Sequence, residues 1–274
     1  MLAGKWIAAL MVLLGLAISV SAQEGELPFL RDENQFGRPD DAFSLSFCVD
    51  PRDPSWEVDK AIGEAIADAL LLEAKPFIIE NQSTESDETE LYRHLLRDCR
   101  LYFGFKLIAQ GYPDWLTVTR PLYETGYIFL AKSSAPQRLA DIPPGGRIAA
   151  TLGTSADLRL IQFNNSRPSE RRWKRIPYTS DEAAIKAVLA DEADTALVWA
   201  PTFTRLRKTN ADFDALKMVD PQPLTLPAMP VGALLLAQDT YLRVNVDRAI
   251  TDLIADGAID GILQSHGMEG QAKR

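Results

Sequence analysis

The chain has 274 residues, 46% of them hydrophobic and 24% charged, and a formal net charge of −9 at pH 7. This length suits one large domain or two smaller lobes that each bury a core. The acidic balance argues against nucleic acid as a partner, because net negative charge is repelled by a phosphate backbone.

Residues 1–22 are predicted to be an export signal. Lys5 supplies the positive charge, the apolar run Ile7–Val20 follows, and small residues then end the segment before Gln23. The alternative is an uncleaved membrane anchor, since the run is close to the lower length limit for a span. We expect a mature protein of the periplasm that is not embedded in the membrane. Residues 23–42, rich in Glu, Asp, Pro and Gly, are predicted to form a flexible leader.

The chain contains two cysteines, Cys48 and Cys99. An exported chain meets an oxidising compartment, in which paired cysteines form disulfides. Cys48 lies in the predicted strand Leu45–Val49, and Cys99 lies at the start of the predicted strand Arg100–Phe103. Neighbouring parallel strands would bring the two thiols within bridging distance. We therefore predict a structural disulfide, with two buried free thiols as the alternative.

Strands and helices alternate along the chain, which predicts an α/β class with mainly parallel sheets. The first predicted elements form one βαβαβ lobe. They are a strand at Leu45–Val49, a helix with an apolar stripe at Lys60–Leu72, a strand at Pro76–Ile79, a helix that begins within residues 81–90, and a strand at Arg100–Phe103.

A second, similar cycle follows the apolar strand Gly126–Ala131. Its predicted elements are strands at Arg147–Thr151, Arg175–Tyr178 and Thr195–Trp199, with helices at Ser155–Phe163 and Asp181–Ala190 between them. A proline-rich stretch then leads to a last strand at Val231–Ala237. Two helical stretches separated at Asp256-Gly257 complete Thr240–His266.

This order predicts two lobes joined by two crossings. Residues 43–131 plus 231–268 are assigned to lobe 1, and residues 132–230 to lobe 2. The C-terminal helices are expected to pack back on lobe 1, because the chain returns there after the last crossing.

Five short motifs occur in a fixed order along the chain. They are Asp50-Pro51 after the first strand, the segment Arg120 to Tyr127, Leu152-Gly153-Thr154-Ser155, the segment Ala193 to Val198, and the segment Ala255 to Leu263. Together they resemble the family 3 bacterial extracellular solute-binding proteins, over roughly Leu45 to Met268. The resemblance implies the type II periplasmic binding fold, whose two lobes close on a small solute by a hinge motion. It also implies delivery of that solute to an ABC permease.

A narrower likeness involves the cysteines and one tryptophan. The segments are Cys48-Val49-Asp50-Pro51 with Cys99, Thr119 to Tyr123, and Val198-Trp199-Ala200-Pro201. They are similar to binding-protein-like accessories encoded beside quinoprotein alcohol (methanol) dehydrogenases. This likeness implies an alternative role as an interaction partner of a periplasmic quinoprotein dehydrogenase.

A third alternative is an enzyme, because a few relatives of this fold are dehydratases. It would need an acid–base pair in the cleft, and the sequence nominates none. His94 and His266 are isolated, so neither a metal site nor a catalytic triad is predicted. We expect a monomeric protein without cofactor that is not an enzyme.

Two departures from the resembled family bear on the ligand. Amino-acid-binding members carry an arginine, on the loop after the third strand, that binds the ligand carboxylate. Here that loop reads Ala109 to Asp114 and has no arginine. The same members hold the ligand ammonium with an aspartate at a place that Trp199 occupies. A standard α-amino acid is therefore not expected, because its charges would be buried unpaired.

Six residues are predicted to bind the ligand: Trp56, Lys106, Tyr112, Thr154, Ser155 and Trp199. The aromatic rings offer stacking or cation–π contacts, and Trp115 and Tyr123 are further aromatic candidates. The two hydroxyls at a helix N-terminus can donate to an anionic or carbonyl group. The lysine at the end of a strand is a replacement cation. The alternatives are ordinary core packing, helix capping and a solvated lysine.

A basic cluster, Arg171-Arg172-Trp173-Lys174-Arg175, contrasts with the acidic chain. It has two interpretations, a docking patch for an acidic partner or a basic surface loop.

Overall fold

The computed structural model of the protein describes residues 43–80 and 88–273. The predicted signal at 1–22 and the leader at 23–42 lie outside the described residues. Within the described ranges, no helix has both the length and the apolar character that crossing a membrane requires.

Seven elements make up the first part of the described chain. They are β1 (Ser44–Val49), α1 (Trp56–Ala69), β2 (Glu73–Ile78), α2 (Glu88–Arg97), β3 (Leu101–Lys106), β4 (Leu116–Val118) and β5 (Tyr123–Thr125).

The chain then forms β6 (Tyr127–Lys132), β7 (Arg147–Thr151), α3 (Ser155–Ser166), β8 (Lys174–Tyr178), α4 (Asp181–Leu189), β9 (Thr195–Trp199), α5 (Ala200–Thr209) and β10 (Leu216–Val219). It returns through β11 (Met229–Leu236), α6 (Thr240–Ala255), α7 (Ala258–Ser265) and β12 (Gln271–Ala272).

The strands form two sheets, which confirms the predicted α/β class with two lobes. Among the described residues, the first sheet has the order β12-β5-β11-β3-β1-β2, and β4 also pairs with β11. β1 is parallel to β2 and β3, whereas β11 is antiparallel to β3. Pro76 is tolerated in β2 because this strand lies at the edge of the sheet, where a missing N–H leaves no partner unsatisfied.

The second sheet repeats this plan with the described strand order β10-β6-β9-β7-β8. β7 is parallel to β8 and β9, and β6 is antiparallel to β9. Buried residues cover both faces of this sheet, as expected for strands between two layers of helices.

The chain changes sheet twice, as predicted. The first crossing is at Gly126, between β5 in the first sheet and β6 in the second. The return lies between β10 and β11, and the two crossings run side by side, since a Cβ on Gly126 would lie 3.6 Å from the Pro227 carbonyl oxygen. The predicted lobe boundary at residue 131 lies beyond this crossing. An apolar run such as β6 reveals that a strand is buried, but not the sheet in which it pairs.

The C-terminal helices complete the core of the first lobe. Phe47 on β1 and Ile62 on α1 are fully buried in one cluster with Ile250 of α6 and Leu263 of α7. Gly257, with φ of 81°, separates the two helices at the predicted position. The expectation that these helices return to lobe 1 is therefore confirmed.

The disulfide between Cys48 and Cys99 is present in the structure, as predicted. Neighbouring residues of a strand point to opposite faces of the sheet. Phe47 accordingly faces α1, whereas Cys48 faces a second cluster with Leu95 of α2 and Tyr102 of β3. The bond joins β1 to the short segment before β3, with Cys99 two residues from the start of that strand, so it links two neighbouring parallel strands of the first sheet.

Candidate ligand site between the lobes

A lysine of the first lobe contacts a tryptophan of the second. Lys106 is the last residue of β3, and Trp199 is the last residue of β9. The Lys106 Nζ lies 4.0 Å from the centroid of the Trp199 ring. This is a cation–π contact between an exposed ammonium and a ring that is only 7% exposed. The carboxyl ends of two central strands thus meet where ligands bind in α/β proteins.

Tyr127 connects this contact to the N-terminus of α3. Its ring centroid lies 5.0 Å from that of Trp199, in an edge-on arrangement. Its hydroxyl lies near the side chains of Ser155 and Thr154, and both affect its pKa. Burial raises the pKa of Tyr127 and the charge of Asp181 adds to this, while the two hydroxyls act in the opposite direction. Four of the six predicted residues therefore lie in one group around Tyr127: Trp199, Thr154 and Ser155 are its neighbours, and Lys106 contacts Trp199.

Tyr127 was not among the predicted site residues. It lies in the motif that ends at residue 127, but the sequence analysis assigned that segment to the crossing between lobes. A residue that comes immediately after a crossing faces the cleft. The position of Tyr127 immediately after Gly126 is therefore the sequence signal that could have identified it.

A buried ion pair fixes the loop that carries the two hydroxyls. Asp157 is 1% exposed, and its Oδ2 accepts hydrogen bonds from the Gly153 N–H at 3.1 Å and from Nη2 of Arg175 at 2.6 Å. The Arg175 Nε donates to the other carboxylate oxygen. Thr154 also caps α3, since its Oγ1 accepts from the Asp157 N–H at 3.1 Å. Capping and a position beside Tyr127 therefore coexist at Thr154.

Asp181, the first residue of α4, lies next to the backbone of Trp199. Its Oδ2 accepts from the Trp199 N–H at 3.2 Å, and the Thr151 hydroxyl donates to its Oδ1. Both carboxylate oxygens are thus directed at donors of the same lobe. This arrangement positions Trp199 at the end of its strand.

A second carboxyl group is buried on the first-lobe side. Asp59 of α1 is 1% exposed, and its Oδ1 accepts from the Tyr123 hydroxyl at 2.9 Å. Its Oδ2 lies 3.3 Å from the Ser55 Oγ, and that hydroxyl is 2.5 Å from Asp53 Oδ1. Gly104 on β3 has φ of 89°, and an added Cβ would lie 3.3 Å from Asp59 Oδ2. The strand that ends in Lys106 therefore packs closely on this carboxyl group.

Burial, and next the charge of Asp53, raises the pKa of Asp59 well above its usual range. The hydrogen bonds from Tyr123 and Ser55 lower it in part. The Ser55 hydroxyl lies between the two carboxyl groups and is closer to Asp53 than to Asp59, so the three side chains form one connected group. Its role is to hold the turn before α1 against β3.

Replacing Asp59 with asparagine is expected to make the protein more stable at neutral pH. Because the folded-state pKa is raised, the folded state holds the proton more tightly than the unfolded chain, whose pKa is about 3.9. Stability is complete below that value and declines as the pH rises toward the folded pKa, by at most about 1.4 kcal/mol per pH unit. Asparagine removes this slope and keeps an acceptor for Tyr123.

Urea unfolding between about pH 4 and pH 8 measures the slope. The matched control is Asp68→Asn, which changes an exposed carboxylate on the same helix and should leave the slope of the wild type. An unchanged slope in the Asp59→Asn protein would contradict the assignment.

Two predicted aromatic residues have packing contacts elsewhere. Trp56 begins α1, is half-buried and packs against the core of the first lobe. The Tyr112 hydroxyl accepts from the Ile108 N–H at 2.9 Å, and its ring packs on the cluster around the disulfide. Of the further candidates, Trp115 lies edge-on to Tyr92 in the same cluster, and Tyr123 is fully buried.

Helix α5, which was not predicted from the sequence, belongs to the second lobe and contacts the first. Lys208 forms an ion pair of 2.6 Å with Glu57 of α1. Thr204 donates to the Gly267 carbonyl oxygen at 3.4 Å, and Arg205 lies 3.5 Å from the Pro51 carbonyl oxygen. The lobes therefore contact each other through α5 as well as through Lys106 and Trp199.

Two lobes, two crossings and a site at the strand ends define the type II periplasmic binding protein fold. Solved structures with this fold include the second substrate-binding domain of a putative amino acid ABC transporter from Streptococcus pneumoniae Canada MDR_19A. That match has a TM-score of 0.64 and 14% identity, over 81% of this chain and 99% of that chain.

Two further structures are similar in fold. MxaJ from Methlophaga aminisulfidivorans MPT has a TM-score of 0.55 and 18% identity, over 83% of this chain and 100% of that chain. The ancestral cationic amino acid solute-binding protein AncCDT-1 has a TM-score of 0.58 and 16% identity, over 81% of this chain and 94% of that one. No protein-family model matches the sequence, and no curated protein does.

Proposed function

We propose that the protein is a periplasmic solute-binding protein that holds a small polar molecule between its lobes for an ABC-type transporter. The observation that carries this proposal is the meeting of Lys106 from one lobe with Trp199, Tyr127 and the hydroxyls of Thr154 and Ser155 from the other. Closure around a solute brings such groups together by a hinge at the two crossings.

The chemistry of these groups supports a solute with one anionic or carbonyl group. The Lys106 ammonium and the hydroxyls of Ser155 and Tyr127 favour an acceptor, whereas the Thr154 hydroxyl already donates to the Thr151 carbonyl oxygen at 3.1 Å. The Trp199 and Tyr127 rings suit an apolar or planar body. Asp181 already accepts from donors of its own lobe, so it is a poor partner for a ligand ammonium. A standard α-amino acid remains an unsuitable ligand for this reason.

Dialysed protein is expected to show a thermal shift with at least one solute in a broad screen of small carboxylates, amides and alcohols. At about a hundred times Kd a ligand contributes about 2.7 kcal/mol, which corresponds to a rise in Tm of about 5 °C or more for a chain of this size. Lys106→Met should weaken the binding of that solute about tenfold or more, because it removes the ammonium and keeps most of the stem.

The matched control is Lys75→Met, which removes an exposed lysine from β2 of the same lobe. This variant should bind the solute as the wild type does. The proposal fails if no solute shifts the Tm, or if Lys106→Met binds the solute as tightly as Lys75→Met.

The second candidate function is an accessory of a periplasmic quinoprotein dehydrogenase, as the narrower sequence likeness implies. Direct contacts between the lobes favour it, since Lys208 pairs with Glu57 and Lys106 lies on Trp199. In this case the dehydrogenase should co-purify with the protein from its native host, and the solute screen should give no shift. Absence of the dehydrogenase from the purified material would count against this role.

A further inference from the structure

On the second lobe, the Arg167 side chain packs on the ring of Trp173. Trp173 is 4% exposed, its indole N–H donates to the Ile142 carbonyl oxygen at 3.1 Å, and its ring stacks on Phe163. The guanidinium carbon of Arg167 lies 3.8 Å from the centroid of this ring. The ring therefore holds the guanidinium group by a cation–π contact.

The charge of Arg167 is not compensated. Within residues 43–80 and 88–273, its buried Nη1 has no hydrogen-bond partner. Burial, and next the charge of Arg171, lowers the pKa of Arg167, and no carboxylate opposes these effects. Two guanidinium groups thus lie close together in a chain of net charge −9. An unpaired N–H of a charged group is costly, so this arrangement does not stabilise the fold.

The neighbouring basic residues divide into two groups. Arg175 is used by the fold, because it pairs with buried Asp157. Arg172 donates to the Arg167 and Asn165 carbonyl oxygens and remains exposed, as do Arg171 and Lys174. Glu170, the one carboxylate of this loop, accepts from Ser169 at 3.2 Å. We define Arg167, Arg171, Arg172 and Lys174 as the basic patch.

We propose that the basic patch is a docking surface for an acidic protein partner, whose carboxylates pair with the exposed side chains of Arg171 and Lys174. Arg167 lies on the Trp173 ring close to Arg171 and adds positive charge to this surface. Guanidinium groups such as that of Arg171 bind carboxylates through two parallel hydrogen bonds. The surface lies on the outer end of the second lobe, away from Lys106 and Trp199, so this inference goes beyond the proposed function and holds for either candidate.

The charge distribution selects a protein among possible anions. A long polyanion or an anionic membrane would also meet the remaining, strongly acidic part of the chain, which repels it. A free small anion is a less suitable ligand, because Arg171, Arg172 and Lys174 are all exposed to solvent. A compact acidic patch on a folded protein meets the basic patch alone, and charge complementarity then accelerates and orients the encounter.

The test uses the complete mature protein and a fluorescent glutamate peptide of roughly ten residues, followed by anisotropy at about 20 mM NaCl. The wild type should bind the peptide, with a Kd that rises steeply with NaCl. The charge reversal Arg171→Glu/Lys174→Glu should raise Kd by about tenfold or more. The control Lys186→Glu/Lys217→Glu changes the net charge equally on the same lobe, and should raise Kd less than about threefold.

A stability measurement distinguishes docking from a structural role. Arg171→Gln should weaken peptide binding but leave Tm equal to or above that of the wild type, because it relieves repulsion of Arg167. The proposal is overturned if the wild type does not bind the peptide, if both double variants lose binding equally, or if Arg171→Gln lowers Tm. It is also overturned if inorganic phosphate displaces the peptide better than NaCl of equal ionic strength, or if phosphatidylglycerol vesicles retain the protein through the patch.

Discussion

Arg175→Met is expected to lower the free energy of unfolding by about 3–5 kcal/mol, since it leaves a buried carboxylate without its counter-ion. Asp157 is 1% exposed and Arg175 supplies two charge-assisted hydrogen bonds to it. The same carboxylate holds the Gly153 N–H at the start of the loop before α3. The variant should therefore also weaken binding at the proposed solute site, because this loop leads into Thr154 and Ser155. Urea unfolding, read as a shift of the midpoint at constant slope, measures the loss.

The matched control is Arg147→Met. Arg147 on the neighbouring strand β7 also pairs with a carboxylate, Asp194, but the two side chains are 38% and 39% exposed. An exposed pair is screened by solvent and contributes little to stability, so this variant should remain close to the wild type. The double variant Asp157→Asn/Arg175→Met should recover part of the loss, because the buried group is then neutral and still accepts from Gly153. A double variant as unstable as Arg175→Met would show that lost packing of the arginine, rather than an unpaired charge, is responsible.

The framework of both lobes could be predicted because its signals are local. β7 and β9 begin and end at the predicted residues, since each is a short apolar run bounded by polar or turn residues. The disulfide followed from two cysteines on strands that an α/β order places side by side. Even the break between α6 and α7 was visible, because Gly257 provides the left-handed conformation that ends a helix.

Helix α5 could not be predicted in the same way. It begins directly after Trp199 with no intervening loop, and Pro201 stands at its start. Among its ten residues only Ala200, Pro201 and Phe203 are buried, so it lacks a continuous apolar stripe. Its position is set by contacts with the other lobe, such as Lys208 with Glu57, which are distant in sequence.

The site was predicted as a set of residues, but its arrangement was not. The sequence marked Lys106 and Trp199 as candidates on separate lobes, and only the fold shows that they touch. The cluster around Trp173 was equally ambiguous, because a basic loop and a docking patch have the same composition. The stacking of Arg167 on that ring favours the docking patch, and it is a non-local fact that composition does not reveal.

Removing the disulfide with Cys48→Ala/Cys99→Ala is expected to lower the free energy of unfolding by about 4 kcal/mol. The two cysteines are 51 residues apart, and a cross-link that closes a loop of this length restricts the unfolded chain by about that amount. Alanine is used because both positions are fully buried, where a serine hydroxyl would need a partner. Urea unfolding of both proteins, with and without reductant, measures the difference.

The reductant supplies the internal control for this prediction. It should lower the stability of the wild type to near that of the double variant, and it should leave the double variant unchanged. The bond joins β1 to the segment before β3, the strand that ends in Lys106, so its removal should also weaken solute binding at temperatures well below the Tm. A loss of less than about 1 kcal/mol would contradict the prediction, because the adjacent parallel strands would then hold the first lobe together without the cross-link.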